Sequence, residues 1–207
     1  MKNSRISDVL SGLIDLIVAG FLWLMCSLPV VTIGASTTAL YYAVNKCVRH
    51  NRGRLTPTFF AGFRSNFRQA TVLWLLFLCY ALIGLADAYA IRVMGYGQGS
   101  VLYSLSWIFF FPLLLFFPWV FAFLSRFDNT VRGTLKFCGW LTLRYFGRTL
   151  LLALELAVFL LICWLLPVLI PFLPAAFCLM MSLTTEPVFR TLQQNLPDEN
   201  ADAWYNE

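Results

Sequence analysis

The chain has 207 residues, 60% of them hydrophobic and only 12% charged, with a formal net charge of +5. Soluble domains are nearer roughly 45–50% apolar and about 25% charged, so this composition excludes an ordinary soluble fold and points to a chain whose solvent is a bilayer. In such a chain the excess positive charge orients loops and attracts anionic headgroups, and nucleic acid is not an expected partner.

The first apolar run, Val9–Leu28, follows Lys2 and Arg5. It is longer than the 7–15 residues of a signal-peptide core and lacks a small-x-small cleavage site, so it reads as a first transmembrane helix. Further apolar runs cover Thr32–Val48, Ala70–Val93, Val101–Leu124, Thr149–Leu166 and Val168–Leu183. A helix needs about 20 residues to cross, which makes the second and the last short.

Basic charge sets the orientation. Of the 15 Lys and Arg residues, all but Arg92 fall in Lys2–Arg5, Lys46–Arg68, Arg126–Arg148 and the tail with Arg190. Positive charge beside spans stays cytoplasmic. The N-terminus and the Lys46–Arg68 loop are therefore both inside, and the chain must return between them through Thr32–Val48, which spans or re-enters as a hairpin. Pro29 and Gly34 make its turn. The Gly95-Tyr96-Gly97-Gln98-Gly99 and Pro167 turns are placed outside by the same logic. The expectation is an all-α, polytopic membrane protein with one domain over residues 1–207. It has six transmembrane helices in three hairpins, and both termini are cytoplasmic.

The inner loops carry structure. Thr56-Pro57 reads as a helix start, Thr at N-cap and Pro at N1. Phe59, Phe60, Phe63 and Phe67 then recur at helical spacing beside Arg64 and Arg68, which predicts an amphipathic cytoplasmic helix over 57–68. Asp128 is expected to cap a second one over 129–146. The two loops align at an offset of 80: Arg64 and Arg68 with Arg144 and Arg148, Lys46 with Arg126, Phe60 with Trp140, Tyr41 with Phe121. This is the pattern of a duplicated unit, or of two loops shaped alike by the positive-inside rule. The tail after Thr184 extends the last helix and then turns acidic at Asp198, Glu199, Asp202 and Glu207.

Ionisable residues inside spans are costly and are functional candidates by default. Asp15 and Glu155 each lie about two turns from the inner surface. They are candidates for a substrate or proton pathway, or for an ion pair with each other or with a loop arginine. Asp87, near Arg92, is a candidate at the outer end. The small, hydroxyl-rich segment from Thr32 to Tyr42 suits close helix packing. That packing is either internal to the bundle or against a partner, which makes Thr32, Gly34, Ser36, Thr37, Thr38, Tyr41 and Tyr42 docking candidates. Arg64, Arg68, Arg144 and Arg148 are docking candidates on the inner side. The six cysteines have no metal spacing and read as reduced thiols used as small apolar residues. The single histidine, His50, has no nucleophile partner in view, and there is no Walker, H-E-x-x-H or G-x-S-x-G motif. No catalytic residue, metal or cofactor is expected, and the chain does not read as an enzyme.

Leu22-Trp23-Leu24 and the block Leu28-Pro29-Val30-Val31-Thr32-Ile33-Gly34-Ala35-Ser36-Thr37-Thr38-Ala39-Leu40-Tyr41-Tyr42 resemble the N-terminal signature of the YesL-like family. These are small integral membrane proteins of bacteria whose function is unknown. Phe59-Phe60 with Phe63-Arg64-Ser65-Asn66-Phe67-Arg68-Gln69-Ala70 resembles the family's first inner loop. Ser125-Arg126-Phe127-Asp128-Asn129-Thr130 resembles the second. The resemblance implies a bacterial plasma-membrane protein encoded beside ABC importers and enzymes for plant oligosaccharides. Its partners would be membrane lipids, the importer's permease subunits and the importer's ATPase. The expected function is that of an accessory subunit of a carbohydrate importer. The alternatives are a stand-alone transporter or substrate-capture subunit, against which the missing A-x-x-x-A motif in helix 1 counts, and a membrane sensor or scaffold.

Overall fold

The computed structural model describes residues 2–95, 101–108, 110–127 and 129–193. Side-chain surroundings are described from residue 11 onward, except at 102, 103, 106, 113 and 193. The Asp128 cap, Gly97, Gly99 and the acidic tail lie outside the described residues. Among the described residues the fold is all-helical: α1 (Lys2–Ser27), α2 (Ile33–Ala43), α3 (Leu55–Val93), α4 (Val101–Ile108), α5 (Phe111–Leu124), α6 (Val131–Arg144), α7 (Phe146–Leu165) and α8 (Leu173–Gln193).

A short 3-10 turn, Val30–Thr32, joins α1 to α2. Pro29 cannot continue the preceding helix. The Thr32 hydroxyl donates to the carbonyls of Cys26 at 2.6 Å and Pro29 at 2.7 Å, satisfying groups that a helix end leaves open. α2 then widens into a π-helical stretch, Val44–Arg49, so the predicted 32–48 helix is present with a changed pitch in its last turns.

α2 is the central helix. Ala35, Ala39, Leu40, Tyr41, Ala43 and Val44 are all buried, and it packs on α1, α3, α5 and α8. Its contact with α3 is close because it is built from small residues. A Cβ at Gly34 would lie 2.5 Å from Trp74 Cβ and 2.6 Å from the Ala70 carbonyl oxygen, and one at Gly62 would lie 3.0 Å from Tyr42 Cδ1. The Trp74 indole donates to the Val30 carbonyl at 2.7 Å. α2 therefore runs beside the first half of α3. The turn at its head sits beside Trp74, about 30 Å short of Met94 at 1.5 Å per residue.

Three expected boundaries are corrected. The separate cytoplasmic helix over 57–68 is the beginning of α3, which runs unbroken for 39 residues. It starts at Leu55 behind Arg54, with no side-chain cap at its start. Pro57 falls in the first turn, where its missing N–H costs nothing. The apolar run 101–124 is divided into α4 and α5. The last helix begins at Leu173, after a 3-10 turn at Pro167–Leu169, and continues through Thr184 to Gln193 as expected. The second inner helix is present as α6. Thr130 caps it, accepting from the Gly133 amide at 3.2 Å. Here the two loops differ: α3 passes straight into its apolar part, whereas α6 and α7 are broken at Tyr145 (φ −113°, ψ 46°).

Two helices, α3 and α7, are long and apolar enough to cross a membrane, and their apolar windows are only 17% and 22% buried. The apolar helices Ser11–Ser27 and Leu114–Leu124 are shorter. Large side chains point outward on α1 (Leu13, Ile17, Phe21), α3 (Leu76, Leu82, Ile83) and α7 (Leu154, Leu161, Trp164). The core of a soluble protein would hide them.

Candidate functional site: a buried ion pair between α2, α5 and α8

Tyr41, Asn45 and Arg49 recur every four residues and so share one face of the second helix. Ser182, Thr185, Glu186 and Phe189 recur at three- and four-residue spacing on α8. The two stripes meet. The Asn45 amide donates to Glu186 Oε1 at 2.7 Å, and the Tyr41 hydroxyl donates to the same oxygen at 3.2 Å. Tyr41 also shares a 2.6 Å hydrogen bond with the Thr185 hydroxyl. Lower on the seam, Arg49 donates to the Ser182 carbonyl at 2.7 Å.

The segment leaving α5 completes the cluster. Arg126 Nη2 lies 2.8 Å from Glu186 Oε2, and the two side chains are 1% and 0% exposed. The Arg126 guanidinium lies 5.7 Å from the centre of the Phe189 ring, a cation–π distance. A charge taken from water is tolerated only when it is paired and hydrogen-bonded. Glu186 satisfies this with an amide, a phenol and a guanidinium. The cluster ties three distant parts of the chain together and holds both charges away from solvent. That makes it a fixed electrostatic joint. A free acid or base would need a route to water.

The predicted acids are placed apart from it and from one another. Glu155, half-buried on α7, accepts from the Thr184 hydroxyl at 2.9 Å. Asp15 is half-buried on α1 and Asp87 is exposed on α3. Among the described residues no ion pair joins Asp15 to Glu155, either of them to a loop arginine, or Asp87 to Arg92. The apolar crevice between α3, α5 and α6, lined by Leu73, Phe77, Tyr80, Pro112 and Phe116, holds none of the three acids.

The hydroxyl-rich segment is used inside the chain. Gly34, Ser36, Thr38 and Tyr41 are buried, so they offer no surface to another protein. Thr37 accepts from the Trp23 indole at 3.2 Å, and Thr32 closes the turn. Tyr42 accepts from Lys46 at 3.2 Å. Arg64, Arg68, Arg144 and Arg148 are exposed. Arg148 also reaches the Thr184 carbonyl at 3.5 Å.

Sequence reasoning passed over Glu186 and Asn45. The signal was present: Glu186 is the one acid between Glu155 and Asp198, and it follows an apolar run with no polar neighbour but threonines. Arg126 reads in the sequence as part of a basic inner loop and as the counterpart of Lys46, with no acid assigned to it.

Comparison with known proteins bears on the α2 half of this site. Residues 16–88 match the family described as "Protein of unknown function, DUF624". This is the family to which YesL-like proteins belong, so the resemblance drawn from Leu22–Leu24, Leu28–Tyr42 and the first inner loop holds; the Ser125–Thr130 segment lies beyond the match. The DUF624 match runs from α1 to Ala88 and includes Tyr41 and Asn45; Arg126 and Glu186 lie beyond it. No curated protein and no solved structure matches the chain.

Proposed function

We propose that this chain is a multi-pass protein of the bacterial plasma membrane and acts as an accessory subunit of a carbohydrate ABC importer. Its apolar segments form three hairpins that each enter from the cytoplasmic side and return to it, with both termini cytoplasmic. The observation that carries the reading is the outward-facing apolar surface of α1, α3 and α7. Such a surface needs lipid or partner helices around it. The DUF624 membership of residues 16–88 supports the importer direction through the YesL-like resemblance. Lateral contact with permease helices falls to these exposed faces, since the Thr32–Tyr42 segment is occupied internally.

A stand-alone carrier would draw support from Asp15 and Glu155 converging on one cavity; among the described residues the two form no ion pair, and the apolar crevice between α3, α5 and α6 is lined by neither. The deciding experiment is mild-detergent purification of the tagged chain from its native host at near-native expression, followed by mass spectrometry. A permease pair co-purifying in defined ratio is the expected result. A lone monomer, with the neighbouring importer expressed, overturns the accessory role.

A further inference from the structure

Two helix faces in the basic segments mix exposed basic and apolar side chains at the same spacing. On α3, Phe60, Arg64, Phe67 and Arg68 are all exposed. Positions i, i+4, i+7 and i+8 fall on one side of a helix, so the four form one stripe. On α6, Lys136, Trp140, Leu143 and Arg144 are exposed at identical spacing. Arg132 extends that second stripe by one turn. Leu143 is 79% exposed and Trp140 48%.

Neither face suits water alone, and neither suits hydrocarbon alone. Aromatic and leucine side chains interleaved with cations fit the boundary between acyl chains and headgroups, where long basic side chains reach outward. The surroundings continue the same boundary. Across the break at Tyr145, α7 exposes Phe146, Leu150, Leu151 and Leu154 around an exposed Arg148. No acidic residue stands on α6 or between Leu55 and Gln69 to neutralise the stripes.

We infer that these two faces bind the headgroups of anionic phospholipid in the cytoplasmic leaflet. The inference rests on the membrane reading above. Cations beside a membrane surface each contribute about a five-fold preference for anionic lipid, and the attraction is confined to the Debye length. A lipid occupant accounts for the apolar and the basic members of each stripe at once. A soluble protein partner would have to match both stripes with acidic and apolar groups in alternation.

The test uses the full chain reconstituted into vesicles of equal phosphatidylglycerol and phosphatidylcholine, extracted in mild detergent, with the retained lipid measured by mass spectrometry. Wild type is expected to retain phosphatidylglycerol several-fold above its bulk share. The enrichment should fall as salt rises, and inorganic phosphate at millimolar concentration should leave it intact. The variant Arg64→Gln/Arg68→Gln/Arg144→Gln/Arg148→Gln should return to the bulk ratio with an unchanged thermal midpoint in phosphatidylcholine. If that variant is too unstable to purify, the pairs Arg64→Gln/Arg68→Gln and Arg144→Gln/Arg148→Gln should each lose part of the enrichment. Bulk-ratio lipid on wild type overturns the inference. So does enrichment that survives the substitutions while binding to a cytoplasmic protein is lost. Carbonate extraction of native membranes separates the two claims: an extractable chain defeats the membrane reading, and an integral chain without enrichment defeats only this one.

Discussion

Arg126 and Glu186 meet at 2.8 Å with both side chains shut away from solvent, sixty residues apart in the chain. One stands just past α5, the other on α8, and the carboxylate is also held by Asn45 and Tyr41 of α2. Breaking such a pair on one side leaves a buried charge without its partner.

Glu186→Gln and Arg126→Gln are each expected to destabilise the fold by about 3–5 kcal/mol, because the surviving charge stays buried. The double apolar variant Arg126→Met/Glu186→Leu is expected to recover most of that loss. Thermal unfolding of purified protein in one detergent checks this. Single variants that melt with wild type, or a double variant no better than the worse single, contradict the assignment.

Gly34→Ala is expected to cost about 1–3 kcal/mol by overpacking, since the new methyl would press on Trp74 and the Ala70 carbonyl. Gly12→Ala meets nothing within 4 Å. It is expected to be neutral or stabilising by up to about 1 kcal/mol through helix propensity. The same melting experiment compares them. Equal effects would remove the close α2–α3 contact as an explanation for Gly34.

The depth of the first turn is measurable. Val30 and Met94 are both exposed, yet the Val30 carbonyl binds Trp74, about 30 Å from Met94 along α3. In a background with the native cysteines replaced, Met94→Cys on intact cells is expected to react with a membrane-impermeant maleimide. Val30→Cys is expected to be protected. Equal labelling rates would place both turns at the outer surface.

His50 gives a pH dependence. Its burial, and then the neighbouring Arg49, lower its pKa below the usual histidine value. Between the lowered value and about 6.5 the unfolded chain binds the proton more readily. Its contribution to stability is therefore complete above pH 6.5 and lost as pH falls through the folded-state value. The melting midpoint of wild type should drop from pH 7 toward pH 5.5 more steeply than that of His50→Gln. Parallel curves would show that the imidazole makes no such contribution.

Much of the architecture was legible along the chain because apolar length and helix punctuation are local. The runs beginning at Thr32 and Thr149 correspond to helices within a few residues, the run beginning at Val9 ends with α1 although that helix starts at Lys2, and Pro29 marks a turn. The errors arose where a local signal competes with packing. Thr56-Pro57 looked like a helix start, but Pro57 is equally at home in the first turn of a helix begun at Leu55. The polar stretch 57–68 looked separable from the span after it. Nothing in it breaks the helix, and α2 supports it along its length through Gly62.

The sequence by itself determined the all-helical class, the membrane-like composition, the clustering of the basic residues and the match of residues 16–88 to the DUF624 family. Each of these depends on residue type and spacing. Only the tertiary structure decided that the Thr32–Tyr42 segment packs internally, that Asp15 and Glu155 do not meet, and that Glu186 finds Arg126 and Asn45. Those outcomes depend on which helix faces are brought together. Face pairing is a property of crossing geometry and close approach at residues such as Gly34, and a periodic pattern read along one chain does not contain it.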